Sequence, residues 1–119
     1  MSTHSAIIRD GVANGTISKG QFLKYASGGW VACSAITDKC AGIAFSDSVQ
    51  GSPVSVQIGG LVKYLVGGSD IADGANVGPS TGGAGQTAVT TQFPRLQAYG
   101  IGKAGSYAEG LWISDVTVL

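Results

Sequence analysis

Val54-Ser55-Val56-Gln57-Ile58, entered from Gly51-Ser52-Pro53 and left through Gly59-Gly60, is the stretch whose pattern sets the fold class. Apolar Val54, Val56 and Ile58 alternate with polar Ser55 and Gln57. A period of two belongs to a β-strand with one face buried and the other wet. Gly59-Gly60 then bends the chain into Leu61-Val62-Lys63-Tyr64-Leu65-Val66, a second β-rich run that stops at Gly67-Gly68. On the other side, residues 47–52 read as a turn. Residues 41–45 before it read as a strand in which Gly42 and Ala44 imply close backbone approach.

This grammar occurs twice. Gly42-Ile43-Ala44 runs through Gly51 to Val54-Ser55-Val56, and Gly100-Ile101-Gly102 runs through Gly110 to Leu111-Trp112-Ile113. Each copy reads as strand, turn, strand. Upstream, Lys19-Gly20-Gln21-Phe22 with Gly28-Gly29-Trp30 is echoed by Asp73-Gly74-Ala75-Asn76-Val77 with Gly82-Gly83-Ala84. Between these landmarks, residues 21–25 and 30–33 form a hairpin closed by Ser27-Gly28-Gly29, and residues 36–39 make a polar connection. Residues 69–76 are too short, and Gly74 too unfavourable, for a stable helix, so they read as a loop. A short strand starts at Val77, residues 79–85 are a loop tip, residues 87–91 are another strand, and residues 111–119 are the last.

The expected fold is therefore all-β, a small β-barrel or β-sandwich built from two similar halves. Residues 1–15 are small and polar apart from Ile7, Ile8 and Val12, and Asp10-Gly11 and Asn14-Gly15 are turn signals. They read as an N-terminal arm leading into a single domain over residues 16–119. Two readings of the arm stay open: a frayed terminus, or an anchor that places Ile7, Ile8 and Arg9 on a neighbouring subunit.

Composition narrows the functional classes. At 119 residues the chain suits one domain with a real core. Charged residues are only 12 %, about half of the roughly 25 % usual in soluble domains, and seven basic groups balance seven acidic ones. A protein normally keeps a mixed, charged surface to avoid self-association, so a chain without one is expected to cover much of its surface with partners. The balance also lacks the basic stripe that neutralises phosphates, which argues against nucleic acid. No run of about 18 apolar residues is present to span a membrane. Residues 1–9 lack the basic n-region and apolar h-region of a secretory signal, so the mature chain is expected to begin where it is written.

Catalytic constellations are missing. The single histidine, His4, lies in the part of the chain least expected to be fixed, and Glu109 is the single glutamate, so neither a nucleophile–base pair nor paired acids assemble. Asp70 and Asp73 sit in a glycine-rich loop without the ligand spacing of a calcium loop. Residues 80–87 superficially resemble a phosphate-binding loop, but Ser80 replaces the first glycine and Gln86 the lysine. Cys33 and Cys40 match no C-x-x-C motif, leaving two packed thiols or one disulfide across a hairpin. No enzyme activity, metal or cofactor is expected. The aromatics Trp30, Trp112, Tyr99 and Tyr107 suit packing or subunit contact, and alternatively a sugar-binding face.

Taken together, the Lys19-Gly20-Gln21-Phe22 turn, the strand from Ala41 to Ala44, the stretch from Gly51 to Gly60, Asp73-Gly74-Ala75-Asn76-Val77, and Gly100-Ile101-Gly102-Lys103 with Gly110-Leu111-Trp112-Ile113 resemble the small capsid cement, or decoration, proteins of tailed bacteriophages. The likeness spans residues 16–118. It rests on glycine and valine patterns of a fold and departs from the family's G-I-A strand at Gly102. The resemblance implies a compact β-barrel or β-sandwich, often a homotrimer, seated on the outer surface of the virion capsid between subunits of the major capsid protein. It implies no catalysis and no cofactor. Ile7, Ile8, Arg9, Trp30, Tyr99 and Tyr107 are the candidate contacts to capsid or sister subunit. The rival reading is a carbohydrate- or receptor-binding β-module of a phage fibre.

Overall fold

The structure, a computed structural model, describes residues 7–26, 28–35, 40–87 and 96–112. Within them ten strands make two five-stranded sheets, and every strand pair is antiparallel. The first sheet contains β1 (Ile7–Val12), β2 (Phe22–Ala26), β3 (Gly29–Ala32), β4 (Gly42–Ala44) and β5 (Pro53–Gly59), in the order β1-β5-β4-β2-β3. The second contains β6 (Leu61–Leu65), β7 (Asn76–Pro79), β8 (Gly85–Thr87), β9 (Leu96–Ala98) and β10 (Tyr107–Trp112), in the order β6-β10-β9-β7-β8. Adding five to each label of the first order produces the second. The all-β, two-halved architecture read from the sequence is the one observed.

The repeat is exact in topology and nearly so in register. β2 and β7 start at 22 and 76, β4 and β9 at 42 and 96, β5 and β10 at 53 and 107, a constant step of 54. Hydrogen bonds repeat at the same step: Gly20 N donates to Ala44 O at 2.9 Å, and Gly74 N to Ala98 O at 2.9 Å. The two glycines, at φ +88° and +82°, turn the chain through a left-handed conformation that other residues rarely adopt. This upstream echo was legible in the sequence. The downstream one was misplaced: Gly100-Ile101-Gly102 is not the equivalent of Gly42-Ile43-Ala44, which is Leu96-Gln97-Ala98. Gly100 bends at φ +96°, and Gly102 pairs with Ile71 as Ser48 pairs with Ile17.

Other boundaries also differ. Residues 7–12, expected in the arm, form β1 and pair along β5, from Ile7 opposite Gly59 to Val12 opposite Pro53. Asp10-Gly11 is not a turn. Gly11 lies inside the strand because a Cβ there would collide with the Trp30 ring. β10 begins at Tyr107, ahead of the expected Leu111. Of the expected strand over 87–91, only Thr87 lies among the described residues, and it belongs to β8. Residues 1–6, 27, 36–39, 88–95 and 113–119 lie outside the described residues.

Each sheet curls until its outer strands meet. The turn after β1 reaches β3 through a parallel bridge between Ala13 and Trp30, and β6 reaches β8 through one between Val66 and Gly85. Ile17, Leu23, Ala44, Val54 and Val56 fill the first curl, with Trp30 and Ile58 packed over them. The second curl is closed differently. Its Val62, Tyr64, Val66, Ile71, Val77 and Leu96 form one cluster with Phe22 and Ile43, which belong to the opposite face of the first sheet. The first half thus lies across the second. This is why Gln57, the expected wet residue of the diagnostic strand, is only 4 % exposed: both faces of β5 are covered. Cys33 and Cys40 lie in the same cluster as buried thiols that form no disulfide. Burial, and then the neighbouring Cys33, push the Cys40 thiol up, while its Sγ donates to Gly42 O at 3.3 Å.

Candidate interaction surfaces

The joint between the halves is built on one turn. Gly20 O accepts from Leu65 N at 3.0 Å, Lys19 O accepts from the Tyr107 hydroxyl at 3.2 Å, and Gln21 Nε2 donates to Gly82 O at 2.8 Å. The Tyr107 ring lies so close to Gly20 that a Cβ would sit 2.7 Å from Cε1, so glycine is required there for contact as well as for its φ. Tyr107 therefore spends its polar end inside the chain. Half of its surface, 51 %, remains exposed.

The other candidate contacts fall into two groups. Ile8 and Arg9 lie exposed on β1, and Trp30 sits half-buried where β3 closes on that strand, over Gly11. Tyr25 stacks edge-on against Trp30 at 5.4 Å and is 60 % exposed, so the indole anchors an aromatic edge that the sequence reading had not singled out. Ile7 opens β1. In the second half, Tyr99 is 60 % exposed, and its N–H donates to Glu109 O at 2.9 Å. Tyr107 lies two residues before Glu109 on β10, so it shares that face of the strand. Trp112, weighed as a sugar-binding ring, is partly buried against the core.

Phe45 was missed, although the repeat points to it. It stands 54 residues before Tyr99, is 48 % exposed, and donates its N–H to Ser55 O at 2.9 Å just as Tyr99 does to Glu109 O. The two halves thus present an aromatic side chain at the same structural position. Val12, Val49 and Ile101 are further exposed apolar residues, in keeping with the charge-poor composition. Among the described residues, no group of three or more His, Cys, Asp or Glu side chains could hold a metal ion.

Comparison with known proteins supplies one anchor. No family model and no curated protein matches the chain. Among solved structures, the N base of the head fibre gp8.5 of bacteriophage phi29 has the same fold, with a TM-score of 0.75 over 92 % of this chain and 95 % of that one, at 16 % identity.

Proposed function

We propose that this chain is a surface protein of a tailed-bacteriophage head, bound as a homotrimer to the outside of the expanded shell, where it bridges subunits of the major capsid protein and stabilises the lattice. The observation that carries the reading is the likeness of fold, over nearly the whole of both chains, to the base of a phage head fibre. The charge-poor composition and the exposed aromatic positions Tyr25, Phe45, Tyr99 and Tyr107 support it, because such surface is costly to leave in water and suited to burial against protein. The role needs neither catalysis nor a cofactor.

The energetics suit a passive clamp. A standard contact buries on the order of 800 Å² per partner, and association costs cancel much of its gross term. Three such contacts on one rigid trimer act together, raising avidity by roughly 10² to 10⁴ without new chemistry. Purified protein mixed with expanded empty capsids is expected to bind at a fixed number of copies per capsomer and to raise the temperature at which the shells break. Capsids that bind none, or a chain that sediments as a monomer at high concentration, would remove the proposal.

A further inference from the structure

Where the two halves meet, a cleft of about 230 Å³ opens that the capsid-binding role leaves unexplained. Its floor is Gln57, only 4 % exposed. Both hydrogens of the Gln57 amide are already committed, to Gly59 O at 3.0 Å and Leu61 O at 2.8 Å. The side chain is therefore locked in one orientation. Its Oε1 takes no hydrogen bond from the described residues, so an oriented acceptor is left over in the lining of the cleft.

The rest of the lining is unlike a packing defect. Lys19 comes from the joint turn, Lys63 from β6 and Glu109 from β10, with Lys63 directly opposite Glu109 in the ladder. Among the described residues these three close no ion pair, so their heads are available to a ligand. Phe45 supplies a half-exposed ring at the rim. The site thus offers one fixed acceptor, one exposed carboxylate, two cationic donors and one apolar plate.

We propose that this cleft binds an acidic pyranose, a single sugar ring carrying a carboxylate. Ring hydroxyls donate to Gln57 Oε1 and to the Glu109 carboxylate, the sugar's carboxylate meets Lys19 and Lys63, and its C–H face lies on Phe45. The volume falls below the roughly 300 Å³ at which drug-sized pockets begin, which limits the occupant to about one ring. A neutral hexose satisfies the acceptors and leaves both lysines unused. A free amino acid satisfies the charges and has no row of hydroxyls for Gln57. The activity adds a weak sugar contact to the protein and does not depend on a seat on the capsid.

The test is a titration of the full-length ¹⁵N-labelled protein with glucuronate, glucose and glutamate at constant ionic strength, since exposed charge contacts are screened by salt. Saturable shifts are expected with glucuronate, centred on the amides of Gln57, Lys63 and Glu109. Lys63→Ala is expected to weaken glucuronate binding about tenfold, the effect of one charge-assisted contact, and Phe45→Ala by a comparable factor. Both side chains are exposed, so an unchanged spectrum elsewhere will certify the fold of each variant. Absence of saturable shifts up to about 100 mM glucuronate would overturn the proposal, because that corresponds to little more than 1 kcal/mol of binding. Equal affinity for glucose, or for glutamate, would overturn it too, as would shifts that cluster away from the cleft.

Discussion

Phe22 and Asn76 occupy the same position in the two halves, as do Ile43 and Gln97, and in each half the two residues face each other across a strand pair. Phe22 and Ile43 are sealed at 0 % and 1 % exposure between the halves, whereas Asn76 and Gln97 face solvent. One backbone therefore carries two chemistries on the same surface. The first half needs an apolar outer face because it covers the open side of the second. The second half needs a polar one because nothing among the described residues covers it. Had the second half kept Phe and Ile, it would offer the same adhesive face to another copy, and head-to-tail contacts that do not close run on into fibres.

The comparison breaks most readily at Phe22. Its ring meets Tyr64 edge-on at 6.0 Å and reaches within 3.1 Å of where a Cβ on Gly85 would stand, so truncation empties the joint. Phe22→Ala is expected to cost about 3–5 kcal/mol in urea unfolding, and Ile43→Ala about 2–5 kcal/mol. Asn76→Ala and Gln97→Ala are expected to stay within about 0.5 kcal/mol of the parent. Similar losses at all four positions would mean that the two faces are not in different environments.

A second contrast lies at the seam where each sheet closes on itself. Gly11 pairs with Val54 and Tyr64 with Ala108, at equivalent points of β5 and β10. Trp30 pairs with Tyr25 and Gly85 with Pro79, at equivalent points of β2 and β7. The first seam thus holds glycine facing tryptophan, and the second holds tyrosine facing glycine. Each has room for one large ring: a Cβ on Gly85 would sit 2.9 Å from Tyr64, and one on Gly11 would strike Trp30. The ring comes from opposite strands in the two halves. Gly11→Tyr alone is expected to overpack the first seam by at least about 1–3 kcal/mol. Combined with Trp30→Gly, it copies the arrangement of the second seam, and a double-mutant cycle is expected to return about 0.5–3 kcal/mol of coupling. Strictly additive losses would show that the seams do not fill the same volume.

These exchanges also explain what could be read from the sequence. The turns at Gly20 and Gly74, and at Gly28 and Gly82, were legible because each needs a left-handed φ that glycine supplies, so the letter survives when its surroundings change. The strand pair β4 and β9 was not, because Gly42-Ile43-Ala44 and Leu96-Gln97-Ala98 face different media and share only their last residue. Gly100-Ile101-Gly102 mimics the first of these and drew the echo out of register. That slip hid Phe45, whose partner Tyr99 had been singled out. The cleft at the joint was invisible for a related reason: Gln57 sits on the polar side of an alternating strand, and nothing local says that another sheet will cover it.

The smallest expected effect concerns the ring that only the second seam owns. The Tyr64 hydroxyl is buried, and it has no hydrogen-bond partner among the described residues. Gly11, its counterpart, brings no such group. Burial raises the Tyr64 pKa above its usual value, since ionisation would place a charge in the core. The unfolded chain therefore releases this proton first. The stability that the group contributes is intact below the ordinary tyrosine pKa near 10 and is lost as pH rises through the higher folded value. Tyr64→Phe removes the unpaired oxygen and is expected to gain about 1 kcal/mol at neutral pH, the low end of the penalty for a buried unpaired group, because the departing oxygen leaves a small gap. The same variant is expected to lose stability less steeply than the parent above about pH 10. A parent and variant with parallel alkaline limbs would mean that the hydroxyl reaches water, and that the second seam is less tightly closed than the first.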